Sequence, residues 1–157
     1  MIAVANNWRL ERTIGAVAAI GAAFCVQNFG VRVALLTLAL GAALDDGGVP
    51  AVYLGVLGFV DAVVVWKIAA FGGFVAAVAV VVVAGAQYLI RRRTLPIVDV
   101  LGIALSVMLP RTTWGWLVAA VVIVGAVIVT ARGRGVSSVP LLPAAAVGAA
   151  VVTLLQL

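Results

Sequence analysis

IAAFGGFVAAVAVVVVAGAQYLIRRR, residues Ile68 to Arg93, decides how this chain is read. No charged side chain stands between Lys67 and Arg91. At about 1.5 Å of rise per residue, a helix over residues 68–90 is long enough to cross the roughly 30 Å hydrocarbon core of a bilayer. The arginines that close it, Arg91, Arg92 and Arg93, mark a cytoplasmic end, because basic residues are retained on that side of a membrane.

The same pattern extends in both directions. Apolar runs separated by charges, Pro or Gly predict spans at about 13–29, 31–44, 51–66, 68–90, 95–110, 114–131 and 139–156. The expected fold is all-α: a single polytopic transmembrane domain over residues 1–157, with about six to seven helices and short loops. Residues 13–44 are too long for one helix and short for two. Gln27, Asn28 and Arg32 mark the turn, and either two thin helices or a re-entrant pair fits. Composition agrees, since the 157 residues are 66% hydrophobic and 10% charged with a mean hydropathy of +1.34. A soluble domain of this size cannot hide that much apolar surface.

The net charge of +5 comes from basic residues at segment ends, a topology signal rather than a nucleic-acid site. In a seven-span arrangement, Arg9, Arg12, Arg91, Arg92, Arg93, Arg132 and Arg134 fall on one side, and Arg32, Lys67 and Arg111 on the other. The excess places the N-terminus in the cytoplasm of a multi-pass cell-membrane protein. Trp8, Tyr53 and Tyr88 then line the inner interface, and Trp66, Trp114 and Trp116 the outer one. Gly55, Gly58, Gly72, Gly73 and Gly85 read as close-packing positions between helices. A faint internal repeat pairs Val60-Asp61 through Arg93 with Val98-Asp99 through Arg134.

No histidine occurs, and Glu11 is the only glutamate, which excludes His-based zinc sites, His-ligated haem and Ser-His-Asp catalysis. No metal or cofactor is implied. Cys25, the lone cysteine, cannot form an intrachain disulfide and reads as a small buried apolar residue. Ionisable groups inside a bilayer are costly and draw attention to function, which leaves Asp45, Asp46, Asp61 and Asp99. Asp45 and Asp46 end the second span, in LDDGGVP. Asp99 lies six residues past Arg93, roughly 9 Å along a helix, and Asp61 eleven past Pro50, roughly 16 Å. Asp99 is therefore closest in depth to Asp45 or Asp46, and two carboxylates sharing a partly dry site can divide acid and base roles. As structural elements, Asp45 and Asp46 are a polar turn before Pro50, and Asp99 is a carboxylate at the positive end of a helix. Asp61 either carries a proton or cation, pairs with Lys67, or donates a hydrogen bond between helices when neutral. Ser106 and Lys67 are the residue types of a Ser-Lys dyad, with nothing to join them.

Asp45 or Asp46 with Pro50, the segment PIVDVLGIALSVMLP from Pro96 to Pro110, and VPLLP from Val139 to Pro143 together resemble the type IV prepilin and archaeal preflagellin peptidases over residues 31–157. These are intramembrane aspartyl peptidases. The resemblance implies a catalytic pair of Asp99 with Asp45 or Asp46, cutting a leader peptide at the cytoplasmic membrane face. Pro96 and Val98 stand where that family has glycines, and Asp45 is two residues nearer its proline, as in a diverged or inactive relative. The alternatives are a non-catalytic membrane subunit of a pilus, secretion or virus-envelope assembly, whose partners are other membrane subunits, and a small proton-coupled transporter using Asp61.

Overall fold

In the computed structural model the described residues are 9–44, 51–67, 71–91, 97–110, 112, 114–135 and 141–155. Among them the chain is all-α, with seven helices and no strand: α1 (Arg9–Cys25), α2 (Phe29–Leu44), α3 (Ala51–Lys67), α4 (Phe71–Arg91), α5 (Ile97–Met108), α6 (Gly115–Arg134) and α7 (Leu141–Leu154). Each apolar run in the sequence has become one helix.

The stretch 13–44 forms two helices folded back as a hairpin, and its polar residues are caps. Asn28 Oδ1 accepts from the backbone N–H of Gly30 at 2.9 Å and of Val31 at 3.4 Å, which occupies otherwise orphaned donors at the start of α2. Arg32 reaches back over the end of α1, its Nε donating to the Ala23 carbonyl at 3.1 Å and a terminal nitrogen to that of Val26. α1 starts four residues earlier than the apolar run, because Arg9, Leu10, Glu11 and Arg12 form a first turn in which Glu11 faces the positive helix end. Cys25, expected to be buried, is exposed, since it ends α1 where the chain turns.

α7 is the hub, packed against α1, α2, α5 and α6. Its sequence, LLPAAAVGAAVVTL, is apolar all round, as a helix enclosed by others must be. Its small residues let neighbouring backbones come close. A methyl group on Gly15 of α1 would lie 2.8 Å from Pro143 Cα, one on Gly148 would lie 2.6 Å from Ile123 Cγ1, and one on Gly102 would run into the Leu142 side chain. α3 packs on α2 and α5, and α4 on α5 and α6.

Register fixes directions. Gly102 meets Leu142 while Ser106 meets Ala145, so α5 and α7 run the same way. Gly73, early in α4, lies against Val107 and Met108 at the end of α5, so those two are antiparallel. Ala16 and Val17 line one groove with Ala43, which makes α1 and α2 antiparallel as well. The starts of α1, α5 and α7 and the end of α2 therefore share one end of the bundle.

Among the described residues, one helix, over Gly115–Gly133, is long and apolar enough to cross a membrane by length and composition alone. α5 and α7, with 12 and 14 residues, span only about 18 and 21 Å. Gly55, Gly58 and Gly85, read as packing positions, have nothing within 4 Å of an added methyl, whereas Gly73 is a close approach. Tyr53, expected near the inner interface, does not face outward. It is buried, and its hydroxyl lies over Gly41 and donates to the Thr37 carbonyl at 2.9 Å.

Candidate functional site

Two carboxylates are buried among the described residues, and they occupy different places. Asp99 is buried and stands in the first turn of α5. One turn on, Gly102 brings α5 against Leu142 of α7, with Leu38 of α2 within 3.9 Å of the same point. Tyr53, in the first turn of α3, ties that helix to Thr37 of α2. α2 and α7 thus approach α5 one turn beyond Asp99, α3 is tied to α2, and the chain leaves α2 at Leu44 at this end. Asp45 and Asp46, the residues expected to join Asp99, lie outside the described residues.

Asp61 lies in the middle of α3, only 7% exposed, and neither carboxyl oxygen has a hydrogen-bond partner among the described residues. The expected pairing with Lys67 is not made. Six residues at about 100° each carry Lys67 to the far side of the helix, and it is exposed there at the end of α3. Nor do Asp61 and Asp99 occupy equivalent positions, one being mid-helix and the other in a first turn, so the internal repeat has no structural counterpart.

Ser106 is fully buried, and its hydroxyl shares one proton between the carbonyls of Gly102 at 3.0 Å and Ala145 at 2.8 Å. This makes it a polar tie between α5 and α7 rather than half of a Ser-Lys dyad. Among the described residues no group of three or more His, Cys, Asp or Glu side chains is placed to hold a metal.

Sequence reasoning missed the burial of Tyr53. Its signal was present: Tyr53, Leu57, Val60, Asp61 and Val64 recur at helical spacing, and these positions form the inward stripe of α3. No known family model matches the chain, and neither a curated protein nor a solved structure is similar to it.

Proposed function

We propose that this chain is a multi-pass protein of the cell membrane, its N-terminus cytoplasmic, and that it is a relative of the prepilin and preflagellin peptidases. In this reading Asp99 and one of Asp45 and Asp46 form an intramembrane aspartyl dyad that cuts leader peptides at the cytoplasmic face. The observation that carries it is the burial of Asp99 in the first turn of α5, at the end where α2 hands the chain to Asp45.

The membrane reading is supported by what the bundle turns outward. Phe24, Phe59, Trp66, Phe71, Leu89 and Val129 are all more than two-thirds exposed, an amount of large apolar surface that water disfavours. Arg9 and Arg12 beside Ala43, with Arg132 in the last turns of α6, put basic side chains at the end where α1 begins. The short helices are compatible with spanning, because α5 and α7 are shielded by their neighbours and need not face lipid along their own length.

The chemistry is general acid-base hydrolysis. One aspartate takes a proton from water, which attacks the scissile carbonyl. The other protonates the departing amide nitrogen, and neither step needs a metal.

Reconstituted protein incubated with prepilin-type substrates tests the proposal. Wild type is expected to release the leader. Asp99→Asn is expected to lose about 10²-fold or more in rate, the scale of positioned acid-base catalysis, and so is one of Asp45→Asn and Asp46→Asn. No cleavage by wild type, or undiminished cleavage by Asp99→Asn, rules the dyad out.

A further inference from the structure

Asp61 plays no part in the proposed dyad, yet it is the most anomalous side chain in the bundle. Its helix has a clear inside and outside. Val52, Val56, Phe59, Val63 and Trp66 face outward, while Tyr53, Leu57, Val60 and Val64 face inward, and Asp61 belongs to the inward set. Its carboxyl group therefore lies in the seam that α3 makes with α2 and α5, not toward lipid.

The charged and titratable groups of those helices are few. On α2 there is Arg32, at the opposite end from Leu44 and engaged with the Ala23 and Val26 carbonyls. On α5 there is Asp99, itself acidic. On α3 there are Tyr53, about 12 Å back along the helix and donating to Thr37, and Lys67, which points away. Among the described residues no cation faces Asp61 and no donor reaches its oxygens. An ionised carboxylate so placed would be a buried charge with neither counter-ion nor hydrogen bond, the costliest state available to it. The neutral acid avoids the charge and leaves one O–H donor and one C=O acceptor that the chain does not satisfy. A buried polar group left in that condition calls for an exchangeable partner such as water.

We propose that Asp61 is a proton-binding site inside the bundle, distinct from Asp99, which exchanges its proton with water entering the α2–α3–α5 seam. The inference is independent of the peptidase reading. It requires only the burial of Asp61 and the absence of a partner there, and a protein with no cleavage activity at all would retain the site.

Infrared difference spectroscopy of the reconstituted full chain tests it in the carbonyl-stretch region of protonated carboxylic acids, in H2O and D2O buffers near neutral pH. Wild type is expected to show a protonated-acid band that disappears in Asp61→Asn, persists in Asp99→Asn and moves to lower frequency in D2O. Asp61→Glu, which keeps the carboxyl group, is expected to retain a band at a changed frequency. [13C]aspartate labelling is expected to shift the wild-type band but not the corresponding band of Asp61→Glu, so the assignment to position 61 does not depend on the Asn variant folding. A wild-type spectrum with no protonated-acid band that responds to the label shows Asp61 ionised and overturns the proposal. A protonated-acid signal no weaker in Asp61→Asn than in wild type overturns it too, as does an Asp61-dependent band indifferent to D2O, which would mean a proton locked in place.

Discussion

The bundle's two shortest helices are also its most enclosed. α5 and α7 have 12 and 14 residues and turn nearly every side chain inward, while α4 and α6, with 21 and 20, present rows of exposed valines, isoleucines and aromatics. The difference teaches what an apolar environment asks of each position. A helix that faces lipid must satisfy its backbone over the full apolar thickness, whereas a helix surrounded by protein can stop short, its ends covered by neighbours. Inside, stability comes from fit, with glycine and alanine bringing backbones together and Ser106 tying α5 to α7. At the periphery, one apolar side chain serves about as well as another.

The contrast can be broken by truncating one side chain of each kind. Leu105 of α5 is fully buried, and Leu105→Ala is expected to cost about 2–5 kcal/mol through lost contacts and the cavity left behind. Val129 of α6 is 71% exposed, and Val129→Ala is expected to stay within about 0.5 kcal/mol. Equal losses in reversible unfolding from mixed detergent would erase the distinction between core and shell.

A smaller and opposite pair of effects sharpens it. Gly15→Ala places its methyl 2.8 Å from Pro143 Cα and 2.9 Å from the Pro143 carbonyl, backbone atoms that give way only if the helices move apart. It is expected to destabilise by about 1–3 kcal/mol. Gly125→Ala meets nothing within 4 Å, so the better helix propensity of alanine should leave the protein unchanged or more stable by up to about 1 kcal/mol. Thermal midpoints of the two variants read the sign directly.

The helices themselves were legible in the sequence, because apolar runs cut by arginine, proline and glycine define segments whatever their surroundings. Their boundaries were displaced where a charge proved compatible with a helix turn, as at Arg9 to Arg12, and where the first hairpin turns earlier than expected, α1 ending at Cys25 and α2 starting at Phe29. Sidedness was much less legible. When both the outward-facing and the inward-facing surfaces are apolar, Ala/Val runs carry little amphipathic signal, so Gly55 and Gly58 read the same as Gly15 and Gly148, although only the latter two meet a neighbouring helix closely. Tyr53 was placed at the membrane interface for the same reason, and Cys25 in the interior. The candidate site was legible to the extent that charge is rare: Asp61 and Asp99 stood out against an apolar background and both are buried. Asp61's lack of a partner was not legible, since the sequence shows Lys67 six residues away but not that the helix turns it to the far side.

Whether the basic end of the bundle is the cytoplasmic end can be read from cysteine accessibility in intact cells, with the lone Cys25 replaced by alanine. Gln27→Cys places a thiol in the exposed α1–α2 turn, and Ala43→Cys places one beside Arg9 and Arg12 at the opposite end. A membrane-impermeant maleimide added from outside is predicted to label Gln27→Cys at once and Ala43→Cys only after the membrane is opened. Labelling of Ala43→Cys in intact cells, or equal labelling of both, would contradict a membrane-spanning bundle that holds Asp99 at the cytoplasmic face.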